Sequence, residues 1–245
     1  ILAAGYGSRL RPLTDRIPKA LVEVGGITML ERTARRLIDA GADRLIVNVH
    51  HHADQVREFI AARDGFGVDV RISEEPDAPL ETGGGLARAA AHFRRDAPFL
   101  LHNVDIITGI DLGAMYAAHL AAGDALATLA VSGRPSKRLL RFDDDGLQAR
   151  VDTRDGSVEE ARPGRGPAVD RAFAGVHVVS PRIFDLLTEE GVYSILVPYL
   201  RLAGAGHRIL PFEMGDALWL EIGDAGRLER AREVVAGEVS PASGS

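Results

Sequence analysis

The chain has 245 residues, 46% hydrophobic and 26% charged, with 27 glycines and 12 prolines; this is ordinary globular usage, long enough for one large α/β domain, and it excludes low-complexity and collagenous classes. A net charge of −6 argues against a general nucleic-acid or anionic-membrane footprint. Cysteine is absent, which removes disulfides, thiolate zinc sites and a cysteine nucleophile and agrees with a reducing, cytoplasmic setting.

Apolar strand-like stretches alternate with segments of helical period. A strand is expected over 1–4, and because the first residue, Ile1, stands inside it, further residues are expected upstream. A helix follows over 29–40, stopped by Gly41, then a strand over 45–49, a helix over 53–62 and a strand over 68–72. A helix over 86–93, a strand over 98–101 and a helix over 112–121 complete a βαβ series, which implies a mostly parallel, Rossmann-like sheet flanked by helices. After Asp124 the pattern loosens into a smaller mixed β region. Strands are expected over 125–131 and 139–142, then a turn over 143–146 and a return strand over 148–152. The C-terminal part reads as a strand over 174–179, helices over 181–187 and 194–203, strands over 208–212 and 218–222, and a helix over 225–235. The organisation is read as one domain over 1–239, with halves 1–123 and 124–239 and a disordered tail over 240–245. No apolar run approaches the roughly 20 residues of a membrane span.

Ligands of open α/β sheets bind beyond the carboxyl ends of strands, and three unusual sequences sit there. The first runs Leu2-Ala3-Ala4-Gly5-Tyr6-Gly7-Ser8-Arg9-Leu10-Arg11-Pro12-Leu13-Thr14 and is followed by Pro18-Lys19-Ala20-Leu21. Its small residues let backbone N–H groups approach a phosphate chain, Arg9 supplies a fork donor and Lys19 a compact charge. A Walker A ending is absent, and Leu10 stands where a dinucleotide fingerprint needs its third glycine. Lys19 is notable because 27 of the 29 basic residues are arginine, Lys137 being the other lysine. A glycine-rich turn with surface cations is the plain alternative.

The second sequence, Leu80-Glu81-Thr82-Gly83-Gly84-Gly85, opens a helix whose N-terminus offers free N–H donors to a flat ligand, or serves as a hinge. In the third, His102-Asn103-Val104-Asp105, a carboxylate ends an apolar strand, where it needs a partner or a metal. Mg2+ takes one or two carboxylates plus substrate phosphates, so Asp105 suits it; a helix N-cap is the alternative. His50, His51 and His52 point in different directions along a strand end and read as a rim loop rather than a metal site. The acidic run Asp143-Asp144-Asp145 reads as a turn.

The first sequence resembles the sugar-1-phosphate nucleotidyltransferase family, whose signature is Gly-x-Gly-Ser/Thr-Arg-Leu/Met-x-Pro-Leu-Thr and then Pro-Lys-Pro/Ala-Leu. The resemblance implies a GT-A-like nucleotidyltransferase fold with nucleotide-binding and sugar-binding halves. It also implies transfer of a nucleotidyl group from an NTP to a sugar 1-phosphate, with pyrophosphate released. Gly7, Ser8, Arg9 and Lys19 then hold the phosphates, and Leu2, Ala4, Gly5, Asn103 and the loop Glu81-Thr82-Gly83-Gly84 complete the nucleotide site. The form Glu-Thr-Gly-Gly-Gly looks like that of N-acetylmuramate-1-phosphate uridylyltransferases, which favours UTP, with GTP next. Asp105 matches the family's Mg2+ ligand, with Val104 in place of a glycine. The second ligand falls in Trp219-Leu220-Glu221-Ile222-Gly223, where Glu221 replaces the family's aspartate. Arg138 is a candidate for the sugar phosphate, or surface charge. Gly175 resembles the family's small residue beside the sugar, or is a strand glycine packed on backbone. Arg9, Lys19 and Asp105 are therefore the expected catalytic residues, and the partners are an NTP and a sugar 1-phosphate. Two other readings stay open: a nucleotide-sugar-binding regulatory module that has lost catalysis, suggested by Val104 and Glu221, and a glycosyltransferase using Asn103-Val104-Asp105 as a variant Asp-x-Asp motif.

Overall fold

The computed structural model describes residues 1–237, and the expected tail over 240–245 lies outside them. The regular elements begin with β1 (Glu23–Val24), β2 (Ile27–Thr28), α1 (Met29–Asp39), β3 (Arg44–Val49), α2 (Ala53–Ala61), β4 (Asp69–Glu74) and α3 (Glu81–Arg88). There follow β5 (Phe99–His102), β6 (Ile106–Thr108), α4 (Leu112–Ala121), β7 (Ala127–Ser132), β8 (Arg138–Asp143), β9 (Gly146–Asp152) and β10 (Val158–Glu160). The last are β11 (Val169–Val179), α5 (Ile183–Leu186), α6 (Leu196–Gly204), β12 (Ile209–Glu213), β13 (Trp219–Glu221) and α7 (Ala225–Ala236).

The chain forms two compact units. The first takes Ile1–Phe93, His102–Ile110 and the segment from Ala217 onward; the second takes Arg94–Leu101 and Asp111–Asp216. In the first unit β3 and β4 pair in parallel, and β6 and β13 pair antiparallel. Its helices are set by side-chain caps. Thr28 accepts from the Glu31 N–H at 3.2 Å to start α1, and Asp224 accepts from the Arg227 N–H at 3.0 Å to start α7. Met29, Leu30, Ala34, Val47 and Leu86 are buried in its core.

In the second unit a sheet runs in the order β10-β9-β8-β11-β7-β12, with β5 also on β11. The β7–β12 ladder is parallel, whereas β7–β11, β8–β11, β8–β9 and β9–β10 are antiparallel. The hairpin joining β8 to β9 makes antiparallel pairing unavoidable, since its turn is only two residues long. Asp143 pins that turn: it accepts from the Arg162 guanidinium at 2.9 Å, the Arg165 N–H at 2.7 Å and the Asp145 N–H at 3.0 Å. The acidic run is thus a turn gripped by arginine, and the Arg162 fork beside it pulls the Asp143 carboxyl down to about 2. Buried Leu126, Leu129, Val176, Val178 and Tyr199 fill the space between sheet and helices.

The expected helices and most strands fall within a few residues of their expected places. Three differences have local causes. The strand expected over 1–4 is reduced to bridges at Leu2, because the next N–H, of Ala3, donates to the Asn48 side chain rather than to a neighbouring strand. The helix expected over 86–93 starts five residues earlier, at Glu81, carries all three glycines inside it and ends in a 3₁₀ turn over Ala89–His92. The strands β1, β2, β6 and β10 are two or three residues long, too short for alternation to show, whereas β13 lies within the strand expected over 218–222; Gly25 and Gly26, at φ +62° and +72°, make the β1/β2 turn.

His102 closes β5 with a 1%-exposed ring whose Nδ1 lies 2.8 Å from the Asn103 carbonyl. Burial pushes it down to about 4 from its ordinary 6.5. The unfolded chain therefore takes up a proton on falling below pH 6.5 that the folded chain refuses until about pH 4. We expect stability to be full above pH 6.5 and to fall by up to about 3 kcal/mol between 6.5 and 4. Urea midpoints across that range should show the slope, and His102→Leu should flatten most of it, leaving the smaller contribution of buried His119, which is lowered for the same reason.

Candidate active site

All the sequence candidates before residue 124, and Glu221, fall in the first unit; Arg138 and Gly175 fall in the second. The first glycine-rich sequence leaves the sheet between two strand ends. Leu2 bridges in parallel to Asn48 in β3 and to Asn103 just past β5. Its N–H donates to the His102 carbonyl at 2.9 Å, and its carbonyl accepts from the Val104 N–H at 3.0 Å. Val104 is 4% exposed, so the residue standing where the family has glycine is a core side chain with its N–H in use.

Gly5 and Gly7 answer to different constraints. Gly7 has φ +64°, and a Cβ there would lie 2.9 Å from the Thr14 methyl and 3.2 Å from the Lys19 Cβ. Thr14, 1% exposed, donates its hydroxyl to the Gly7 carbonyl at 2.8 Å and holds the turn shut. A Cβ on Gly5 would meet nothing within 4 Å. The protein itself therefore requires glycine at 7 and leaves open space at 5.

Pro18, extended at φ −65° and ψ 148°, starts a 3₁₀ turn over Lys19–Leu21 in which Ala20 is fully buried. That anchor presents Lys19, whose Nζ lies 2.5 Å from Asp105 Oδ2, with the two side chains 11% and 24% exposed. Asp105 follows β5 in the turn leading to β6, and its carbonyl accepts from the Ile222 N–H at 3.0 Å. In the β6–β13 ladder Glu221 stands opposite Ile106, which brings the second carboxylate to the adjoining strand. Glu221 pairs with Arg227 of α7. A Cβ on Gly223 would lie 2.5 Å from Glu221 Oε1 and 3.3 Å from Arg9 Nη2, so glycine there lets Arg9 and Glu221 come together. Asn103 completes the group, with a buried Oδ1 that has no hydrogen-bond partner among the described residues.

Asp105 and Glu221 offer oxygen-only, anionic donors, each paired with a cation, Lys19 and Arg227 respectively, and among the described residues no group of three or more His, Cys, Asp or Glu could by itself hold a metal ion. Two carboxylates without a protein cage fit a hard divalent cation that draws its remaining ligands from substrate phosphates and water.

In the second sequence Glu81 sits at φ +58°, a left-handed conformation uncommon for a non-glycine residue, and turns the chain into α3. Gly83, Gly84 and Gly85 are all buried. The histidine run bonds to the loops around it: His50 Nε2 to the Tyr6 hydroxyl at 3.1 Å, and His51 Nε2 to the Thr14 carbonyl at 3.2 Å. In the second unit Arg138 begins β8 and lines a cavity of about 250 Å³ with Arg150, Asp152, Ser157, Val158 and Glu159. Gly175 has φ +78° within the register shift of β11 against β7, a bulge conformation that calls for glycine whatever binds nearby.

Sequence reading passed over two polar groups of the first unit, Asn48 and Glu75, which are 4% and 1% exposed. The one local signal was an asparagine inside the otherwise apolar stretch 45–49.

The family model for nucleotidyl transferases matches residues 1–143. The chain is 35% identical over 233 residues to an N-acetylmuramate alpha-1-phosphate uridylyltransferase of Caulobacter vibrioides, covering 91% of this chain and 90% of that protein. The chain belongs to the sugar-1-phosphate nucleotidyltransferase family. It is also 30% identical over 234 residues to a mannose-1-phosphate guanyltransferase of Kluyveromyces lactis, covering 91% of this chain and 60% of that longer protein. Among solved structures it resembles a UDP-glucose pyrophosphorylase from Acinetobacter baumanii, with TM-score 0.76 at 18% identity over 98% of this chain and 93% of that one. At that identity the likeness speaks for the fold, and it spans the α/β organisation inferred from the sequence.

The two loop glycines are separable by experiment. Gly7→Ala should lose about 2 kcal/mol of stability through its left-handed backbone and the Thr14 contact, while Gly5→Ala should stay within about 0.5 kcal/mol of the parent. Urea denaturation of both variants checks this.

Proposed function

We propose that this chain transfers the uridylyl group of UTP to a sugar 1-phosphate, releasing pyrophosphate, and that it does so in the cytoplasm with Mg2+. The observation that carries the proposal is that the Gly5-Tyr6-Gly7 loop, Arg9, Lys19 and two carboxylates all fall in one compact unit, with Lys19 Nζ 2.5 Å from Asp105. Similarity to a uridylyltransferase at 35% identity supports UTP; similarity to a guanyltransferase makes GTP the next choice.

The phosphate oxygen of the sugar 1-phosphate attacks the α-phosphorus in line with the departing pyrophosphate. No covalent intermediate and no nucleophilic side chain are required, so catalysis is positioning and charge neutralisation. Backbone N–H groups of residues 5–9 and the hydroxyl of Ser8 cradle the phosphates, with the open space at Gly5 admitting them. Arg9 binds the leaving pyrophosphate as a fork, and Lys19 places a compact charge on the phosphate chain. Asp105 and Glu221 would hold Mg2+, which when bound neutralises phosphate charge. The unpartnered Asn103 Oδ1 accepts a hydroxyl of the nucleotide, and the residues Glu81, Thr82, Gly83 and Gly84 border its base, with Leu2 and Ala4 beneath. Arg138 and Gly175 are the proposed sugar-phosphate contacts of the second unit.

A matrix of four NTPs against several sugar 1-phosphates, read by pyrophosphate release, tests the reading: UTP should give the fastest turnover, and ligand-induced stabilisation with no turnover for any pair would instead indicate a binding module. In the best pair, Arg9→Ala and Asp105→Ala should each slow turnover at least about 100-fold, the scale of losing one key electrostatic partner. Lys19→Arg should keep the charge yet lose most activity, because it replaces a compact ammonium, 11% exposed and 2.5 Å from Asp105, with a larger planar fork.

A further inference from the structure

We infer that Glu75, acting through Asn48, is a positioning residue that ties the phosphate-binding loop to segment 80–85; the assignment rests on the nucleotidyl-transfer reading for what each segment holds. Glu75 is 1% exposed, and a buried carboxylate is retained only where its hydrogen bonds are met. Its Oε2 accepts from the Leu80 N–H at 2.7 Å, one residue before Glu81. Its Oε1 accepts from Asn48 Nδ2 at 2.7 Å, and Asn48 Oδ1 accepts from the Ala3 N–H at 2.5 Å. A second tie runs alongside: the Tyr6 hydroxyl is 3.1 Å from His50 Nε2, and His50 Nδ1 is 2.5 Å from the Glu75 carbonyl. Both ends of the loop 3–6 are thereby anchored on Glu75.

The donor and acceptor count of this chain admits few alternatives. Ala3 and Leu80 each present an N–H, so the two side chains between them must supply three acceptors and one donor. An amide and a carboxylate meet that count, and two amides leave a donor facing a donor. Two carboxylates set like charges together in a buried place. The order could be reversed, with the carboxylate at 48 and the amide at 75, without losing a bond. Gly85 belongs to the same arrangement: a Cβ there would lie 2.6 Å from both Asn48 Nδ2 and Glu75 Oε1. The third glycine of the triplet is thus explained by the network and needs no ligand.

The test is a polarity swap in the full chain, using the NTP and sugar 1-phosphate that the wild type turns over best. Glu75→Gln and Asn48→Asp should each lower kcat/KM for the NTP at least about tenfold, chiefly through KM for the NTP, with KM for the sugar phosphate within about twofold. The double variant Asn48→Asp/Glu75→Gln should return to within about threefold of wild type, and Gly85→Ala should behave as a single variant. Amide exchange at Ala3 and Leu80 should speed up about tenfold in the single variants and revert in the double. A double variant no better than the worse single one overturns the proposal, as do single variants with kinetics within twofold of wild type. Should Asn48→Asp fail to fold, Glu75→Gln, Gly85→Ala and the double variant still decide. A wild-type chain that neither binds nor turns over any NTP overturns the functional reading and the positioning role with it; unchanged amide exchange in an active enzyme overturns the positioning role alone.

Discussion

The placement of Leu2 between Asn48 and Asn103 is the constraint from which the rest of the site follows. Its two backbone bonds to the segment 102–104 fix where the glycine-rich loop leaves the sheet and, in the same stroke, where Asp105 stands three residues past His102. Beyond that point the chain turns, and the turn is made by Gly7 in a left-handed conformation and closed by the buried hydroxyl of Thr14, which donates to the Gly7 carbonyl. Lys19 is then delivered by a separate anchor, the buried Ala20. That anchor sets the ammonium on Asp105, whose own place is fixed by the segment 102–104.

The carboxylates of the candidate site in the first unit are each met by a cation. Asp105 is met by an ammonium, Glu221 by the Arg227 guanidinium, and Arg9 lies against Gly223 beside Glu221. In the second unit Asp143 and Asp170 are each gripped by an arginine fork, the pattern this arginine-rich chain adopts by default. Asp105 departs from it. An ammonium can exchange one oxygen partner for another with little change of geometry, whereas a fork matched to a carboxylate surrenders two aligned bonds at once. On the proposed reading, in which Asp105 shares its oxygens with a phosphate-bound cation, the ammonium is the better partner.

How much was legible follows from how local each signal is. The Gly5 to Thr14 and Pro18 to Leu21 motifs, which carry the family, the place of Asp105 after an apolar strand, and the helices expected over 29–40 and 112–121 depend on residues close together in the chain, and the family and those elements are what the structure and the relatives bear out. The capping residues Thr28, Asp111 and Asp224 lie where the helices begin for the same reason. The strands β6 and β10 were obscure because three residues carry no measurable alternation. Glu75 drew no role from the sequence, since nothing within ten residues of it discloses that Asn48, 27 positions away, points an amide at it.

The sequence by itself determined the family and the residue types its glycine-rich loop makes available, because backbone freedom at glycine and the charge of lysine, arginine and aspartate are properties of single residues at short spacing. Tertiary structure alone decided which of those groups meet. It set Glu221 on the strand beside Asp105 across more than a hundred residues, gave Arg9 its place against Gly223, and assigned Gly85 to a buried polar network instead of an open loop. The physical reason is that hydrogen-bond and ion-pair geometry is settled within about 3 Å, a distance that chain position does not encode once strands from remote segments are laid side by side.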